Sequence, residues 1–556
     1  MDRHKPSPPS AFHSLPSIVA LVTSTLGMTC YPVPDAAAKS PSNANRNANA
    51  TGDPTGNATG VATSNANEPG LEPESRLIGV RTATGDPDFV VDGDLSIVDW
   101  ESMAGKTVRI NGPLVVVDTY DLLRRGQITV ARERLMIPTE RIDPNDRDAL
   151  GTSFEGGNNV AAVVAAEKRN DRSTIIIDDG TPQQNLFPPK LLPGLGRDIP
   201  TLRCGSVING FVGRVQRAGR LWLFIPTEPL DLRPAPRPPR PSLPGGDTVV
   251  ASFNVLNYFT TIDDGRNRAR GADSNAELIR QRKKTVAAIH QLDADVVGLM
   301  EIENSDQAES DLIDALNRNG SSNPQDRDQH YTGVGRPRGF TEAPGGGDSI
   351  RVGILYNDLR VEPVGPPGMI VDAAFGNARA PIFQTFRSRR GGEPFTVIVN
   401  HFKSKGGANN ADPANKNKGD GQAAYNAARR GQADAIVRYV KAHANSRTRV
   451  LIIGDLNAYA QEDPIDRLRA AGFVDLHEQH GDAEPDYSFN YYGQSGTLDH
   501  AFATPALADD VTAAIPWHIN ADEPRWLDYN TEDNPVSLYH PDPYRSSDHD
   551  PLLIAF

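Results

Sequence analysis

The sequence predicts an α/β layered domain preceded by a smaller all-β module, and three observations carry that prediction. Between about 76 and 232, short β-like runs follow one another between turn residues, a texture that suggests a small barrel or sandwich. The run Arg233 to Pro244 is then too proline-rich to continue a helix or a central strand, because proline lacks the amide donor and fixes φ. Beyond it helices and strands alternate, and the strands end in polar residues, as in a layered domain whose site collects at one edge of its sheets.

Taken in order, Arg3, His4 and Lys5 precede an apolar stretch from Ile18 to Met28 and the small residues Ala36, Ala37 and Ala38. Residues 1–38 therefore read as a secretory signal, which predicts a secreted or periplasmic protein. Lipid anchoring at Cys30 is disfavoured, because Gly27 stands where a lipoprotein signal usually has Leu. Residues 39–75 are dominated by Asn, Ala, Thr, Gly and Pro and read as a disordered spacer. In the module at 76–232 the expected strands are Thr107–Ile110, Leu114–Val117, Gln127–Ala131, Val160–Val164, Thr174–Ile177, Ser206–Val215 and Leu221–Ile225.

The linker spans 233–246, and the domain at 247–556 opens with the strand Val249–Leu256. Ser274 and Glu277 form a capping box for a helix that runs to Leu292, with Ile279, Val286 and Ile289 expected on its buried face. Val296–Met300 is a continuous apolar run that delivers Glu301 to a sheet rim. Further strands are expected at Arg351–Tyr356, Thr396–Asn400, Val450–Ile453, Leu498–Ala503 and Leu552–Phe556, with a helix from Gln422 to His443.

The net charge of −14 excludes a protein that coats nucleic acid through a uniformly basic surface. An enzyme turning over a polyanion needs only a local basic track. Two cysteines, Cys30 and Cys204, leave one thiol and no internal disulfide if the leader is removed. Past the leader, no stretch approaches the roughly 18 apolar residues of a membrane span, so a soluble protein, and a monomer, is expected.

Singly, the polar motifs at strand ends are weak, since GDLN alone is more often a tight turn than a catalytic site and a lone histidine more often a structural one. Glu301 has a sharper claim, because a carboxylate that caps an apolar strand needs a partner if buried. The ordered series is more telling: Asn254, Glu301, His401 in VNHFKSK, Asp455 and Asn457 in IIGDLN, Asp499 in LDHAF, and Asp548 and His549 in SSDHDPLL. Order and context resemble the endonuclease/exonuclease/phosphatase superfamily over about 247–556. The phrases ASFNVLNYF, RVGILYN, GDGQAAYNAARRGQA and IIGDLNAY are similar to bacterial extracellular nucleases of the ExeM/NucH type.

That resemblance implies a four-layered α/β sandwich (DNase I-like), preceded by a small module like the oligonucleotide/oligosaccharide-binding fold (OB-like). Gly407 and Ala424 stand where that group often has cysteines, which puts only a loop staple in doubt. Hydrolysis of a phosphodiester requires an activated water, charge stabilisation and protonation of the leaving oxygen. Carboxylate and amide oxygens suit Mg²⁺, with Mn²⁺ or Ca²⁺ as alternatives, so Glu301, Asn254 and Asp548 are the expected ligands. As the resemblance implies, His549 oriented by Asp499 acts as general base or holds a phosphoryl oxygen. His401 protonates the leaving group with Glu303 as its orienting carboxylate, while Asp455 and Asn457 position water and phosphate.

Between 401 and 449 there are ten Lys or Arg against three acidic residues, and Lys403, Lys405, Arg429 and Arg430 are the expected substrate-binding cations. A solvated helix face accounts for Arg438 and Lys441 equally well. These features point to nucleic acid, DNA and also RNA; an endonuclease is expected, although the sequence itself decides neither DNA against RNA nor internal against terminal cleavage. The same fold serves inositol phosphatases and sphingomyelin phosphodiesterases. Loops rich in Gly, Asn, Lys and Arg, rather than apolar ones, argue against the latter. A non-catalytic exported polymer-binding protein would be expected to have lost metal or histidine positions, and none is missing from the series.

Overall fold

The computed structural model describes residues 77–78, 87–146, 157–318, 329–481, 486–532 and 534–556. The expected leader, spacer and Cys30 lie outside them. In the first module, strands β1 (Thr107–Asp118) and β2 (Gln127–Ala131) lead to helix α1 (Val160–Ser173), followed by β3 (Ile175–Asp178), β4 (Val207–Ala218) and β5 (Leu221–Pro226). Each pairs with its neighbours in the cyclic order β1-β2-β3-β5-β4-β1, so five strands close into a barrel. Alternate residues fill it, among them Val108, Ile110, Val116, Ile128, Ile177 and Phe224.

One expected strand is wrong. Val160–Val164 begins α1, because the valines continue into Ala-, Glu-, Lys- and Arg-rich sequence that favours helix, and only Val163 of the helix is buried.

After residue 247, β6 (Val249–Tyr258), α2 (Asn275–Leu292), β7 (Val296–Glu303), α3 (Asp306–Arg318) and β8 (Ile350–Asn357) are followed by β9 (Ile382–Ser388) and β10 (Phe395–His401). Then come α4 (Asn426–His443), β11 (Val450–Asp455), α5 (Asp463–Ala470), β12 (Phe489–Tyr491), β13 (Gln494–Gly496), β14 (Asp499–Ala503), β15 (Ala513–Pro516) and β16 (Leu552–Ala555). One sheet runs β8-β7-β6-β16-β15 and a second β9-β10-β11-β14.

Val250, Val296 and Ile354 of the first sheet meet Val399, Ile453 and Ala501 of the second in one core. The outer face of the first sheet packs on α2 and α3 through Ile289, Leu292 and Leu312. That of the second packs on α4 and α5 through Ile436, Val440 and Leu468. The result is the four-layered α/β sandwich. Gly298 keeps the inner layers close, since a Cβ there would lie 2.8 Å from Ile453 and Val399 side chains.

Helix α2 starts as expected, with the Ser274 hydroxyl accepting from the Glu277 amide at 3.3 Å. Val286 and Ile289 are buried as expected, but Ile279 is 47% exposed and Leu278 is buried beside it instead. No sheet crosses the proline run, yet the run does not hang free. Trp517 and Tyr544 donate to the Pro238 carbonyl at 3.2 and 3.1 Å, and Arg237 pairs with Glu523 at 2.9 Å. The barrel is laced to the sandwich too: the strand Leu135–Met136 pairs in parallel with Gln494–Ser495 of β13, and Trp526, Leu527 and Leu538 enter the barrel core.

Candidate active site

Strand register builds the site. His401 at the end of β10 stands opposite Asp455 at the end of β11, and Asp455 stands opposite Asp499 at the start of β14, so three polar side chains line one sheet edge. Gly454 makes the approach possible at φ 135°, where a Cβ would strike the Asn400 backbone. The other sheet brings Asn254 from β6 and Glu301 from β7 to the same edge, and the Asn254 amide donates to Asp455 at 3.3 Å across the sheets.

Glu301 sits at φ 65°, in the left-handed region, where the β7–β8 pairing shifts between Leu299 and Ile302. The bulge turns its carboxylate inward, where Oε2 accepts from the Asn257 amide at 3.1 Å and Oε1 lies 3.9 Å from His401 Nε2. The same His401 nitrogen is 3.3 Å from Asp455 Oδ2, which is in turn 4.0 Å from His549 Nε2. Asp499 Oδ2 lies 2.7 Å from His549 Nδ1. Asn457 donates its backbone amide to Asp455 at 2.9 Å and its side chain to the Phe402 carbonyl at 3.2 Å. Thus Asn254, Glu301, His401, Asp455, Asn457, Asp499 and His549 form one linked, buried cluster. Asp548, half-buried, adjoins it through His549.

The electrostatics follow from burial and charge pairing. Burial opposes the charged form of His549, but the Asp499 and Asp455 carboxylates outweigh it and raise its pKa well above the ordinary value. Burial likewise works against ionised Asp455, yet His549 and His401 hold its carboxyl below the usual range.

Two sets of expected roles differ. Glu303 does not orient His401, because its carboxylate accepts from the amides of Thr260 and Thr261 at 2.8 and 3.2 Å and from both hydroxyls. The bulge at Glu301 breaks the alternation that would otherwise put both glutamates on one face. Of the four expected substrate cations, Lys405 and Arg429 turn inward onto Glu462, with Lys405 Nζ at 2.6 Å from Oε1 and Arg429 at 3.9 Å from Oε2. Arg430 lies 3.4 Å from Asp463, and Lys403 stacks 4.4 Å over the Tyr425 ring.

Other residues support the site without having been singled out. Phe489 packs on the His549 ring at 4.7 Å, and Asn520 binds the His549 carbonyl at 2.7 Å and the Ser546 amide at 2.9 Å. Buried Arg379 binds the Phe402 carbonyl at 3.2 Å and Asp348 at 3.2 Å, and its field reaches Glu301 and Asp455. Only the polar neighbours in SSDHDPLL hinted at any of this: Asp550 accepts from the Asn520 amide at 2.7 Å.

The donor set fits a hard dication, because Glu301, Asp455, Asp499 and Asp548 gather four carboxylates around two imidazoles, and Glu301 and Asn254 offer oxygen. Among the described residues a tighter acidic triad, Asp273, Glu277 and Glu532, has its oxygens within 4.8 Å of one another but shares no residue with this set. Its Glu277 is occupied by Thr531 at 2.8 Å and Arg280 at 3.2 Å.

The model of the Endonuclease/Exonuclease/phosphatase family matches residues 251–549, more than half of the chain. No curated protein matches. Among solved structures the chain is similar to an endonuclease/exonuclease/phosphatase family protein from Bacteroides thetaiotaomicron, at 17% identity over 55% of this chain and 96% of that one, TM-score 0.33. It is also similar to the mannosyl-6-phosphatase Bt3783 of the same organism, at 17% identity over 55% and 98%, TM-score 0.34. An AP endonuclease from Archaeoglobus fulgidus shares 14% identity over 56% and 99%, TM-score 0.33.

Proposed function

The chain belongs to the Endonuclease/Exonuclease/phosphatase family, and from that premise we propose that it is an exported, metal-dependent phosphodiesterase of the ExeM/NucH type that cleaves nucleic acid internally. The observation that carries the reading is the linked row His401–Asp455–His549–Asp499, with contacts of 3.3, 4.0 and 2.7 Å, at the edge where Glu301 and Asn254 also arrive. Each hydrolytic requirement has a residue. Asp455, ionised between two imidazoles, takes the proton of the attacking water and, with Asn457, positions that water and the scissile phosphate. His549, fixed through Nδ1 by Asp499, holds a phosphoryl oxygen with its cationic ring. His401 gives its Nε2 proton to the leaving oxygen.

Glu301, Asn254 and Asp548 would hold Mg²⁺, which when bound supplies positive charge to the phosphate oxygens. The barrel's strand order supports reading the first module as OB-like, the fold that binds oligonucleotides in other settings. Export rests on the N-terminal sequence pattern. The test is incubation with circular plasmid DNA, linear DNA and RNA, with Mg²⁺ or with EDTA. Nicking of the closed circle that EDTA abolishes is expected, and intact plasmid under all conditions refutes the reading.

A further inference from the structure

Glu140 belongs to the barrel module in sequence but ends inside the sandwich. It stands on the single helical turn Pro138–Arg141, just past the strand Leu135–Met136 that pairs with β13. The residue is 7% exposed, and its Oε2 accepts from the Thr497 amide at 2.9 Å and the Ala460 amide at 3.4 Å. Those two amides belong to the segments that carry the reactive groups. Ala460 lies three residues past Asn457, and Thr497 two residues before Asp499.

The surroundings leave little slack. The Leu456 amide donates to the Leu498 carbonyl at 2.9 Å, and His500 Nε2 meets the Ala458 carbonyl at 2.8 Å, so the two segments are already joined along their length. A Cβ on Gly496 would lie 2.6 Å from Tyr459 and 3.2 Å from Glu140 Oε2. Next to Glu140, the Thr139 hydroxyl donates to Glu462 at 3.0 Å and its carbonyl accepts from the Gln461 amide at 2.9 Å. Burial pushes the Glu140 carboxyl up to about 7 despite both amide bonds, so keeping it there carries a cost that packing alone would not require.

We infer that Glu140 is a positioning residue: reaching in from the barrel, it ties the Asp455–Asn457 loop to the Asp499 strand and so fixes the distance between Asp455 and His549. The upstream module is on this account part of the active-site framework as well as a candidate binding domain. The inference rests on the proposed hydrolytic function for its kinetic arm, and a structural arm stands apart from it.

The test uses the full chain carrying Glu140→Ala, Glu140→Asp and Glu140→Gln. Misplacing reacting groups by an ångström costs up to about a hundredfold, so Glu140→Ala is expected to lower kcat roughly ten- to a hundredfold with KM held within about twofold. Glu140→Asp, whose oxygen is withdrawn by one methylene, should fall between. Glu140→Gln keeps an oxygen that accepts both amides and should recover kcat to within about threefold of wild type.

Hydrogen–deuterium exchange supplies the second arm. In Glu140→Ala, and more weakly in Glu140→Asp, amides at 455–460 and 497–499 should exchange faster while β1 and α2 keep their protection. Glu140→Gln should restore the slow rates. The inference is overturned if the Ala and Asp variants keep both kcat and local protection, if protection falls equally throughout the chain in both, or if Gln is as impaired as Ala. A wild-type protein inactive on nucleic acid would refute the proposed function, and the exchange pattern would still decide the role of Glu140.

Discussion

Lys405 is the sharpest place to test the electrostatics of the site, because sequence and structure assign it opposite roles. A lysine four residues past His401 is expected to contact phosphate. Its ammonium instead lies 2.6 Å from Glu462, whose side chain is 0% exposed and which also receives the Thr139 hydroxyl at 3.0 Å. Burial pulls the Lys405 pKa down to about 8, with Glu462 opposing the fall, so the ion pair persists at neutral pH. Removing one member of a buried pair typically costs about 3–5 kcal/mol. Arg429, at 3.9 Å, and Thr139 still face Glu462, which sets the expectation for Lys405→Met near the lower end, about 3 kcal/mol. Urea denaturation of the full chain measures this. In parallel, anisotropy of a labelled DNA oligomer titrated across salt concentrations, with EDTA present to prevent cleavage, reads counterion release. Lys405→Met should leave the logarithmic salt slope unchanged, whereas a lysine on phosphate would take about 0.9 from it. A slope that falls by that amount while the unfolding free energy stays put would refute the buried-pair account.

Replacing His549 by Ala should lower kcat by about 10²–10⁴-fold with a small change in denaturation midpoint, as measured on plasmid nicking and in urea. Glu301→Gln should raise the Mg²⁺ concentration for half-maximal activity, because an amide attracts a dication less than a carboxylate does. Arg379→Gln should move that concentration the other way by roughly fivefold, since its charge acts on both Glu301 and Asp455. Asp486 lies 3.3 Å from His477, whose pKa is raised to about 9: burial lowers it, but the Asp486 and Asp475 carboxylates and the Asp499 carbonyl together more than offset that. A raised histidine stabilises fully below its unfolded value of 6.5 and loses that contribution as pH climbs towards 9. Asp486→Asn should therefore destabilise the protein at pH 6 and converge on wild type above about 9, as followed by urea denaturation at each pH.

Most of the sandwich was legible because its strands are buried on both faces and announce themselves as unbroken apolar runs. Val296–Met300 and Val450–Ile453 both end where a polar side chain enters the cleft. Local sequence carries that information. It does not carry the partner of a buried charge: Lys405 and Glu462 are 57 positions apart, and nothing in a basic loop reveals that one of its lysines folds inward. Nor does it announce a bulge. Strict alternation puts Glu301 and Glu303 on one face, and the left-handed turn at Glu301 separates them. The α1 helix was missed for the converse reason, since a valine-rich start outweighed the alanines and charges that followed.

The hardest feature to read from sequence is also the one that joins the two halves of the molecule. Glu301, Asn257 and Asn457 hold left-handed backbone at φ 65, 50 and 49°, and each sits beside a reactive carboxylate or is one. Such conformations cost about 1–3 kcal/mol apiece and persist only where the surroundings over-determine them. For Asn257 and Asn457 part of that determination is local, through amides donated to Glu301 at 3.1 Å and Asp455 at 2.9 Å. Beyond Asn457 it is supplied from outside the sandwich, by Thr139 and Glu140 on the Gln461 and Ala460 amides. The Asp455 loop is therefore braced by a module more than 300 positions upstream, joined through a proline run that is itself pinned by Trp517 and Tyr544. In the folded chain the pinned run shortens the span of free chain between the two modules, which lowers the entropic cost of holding Glu140 against a loop so distant in sequence.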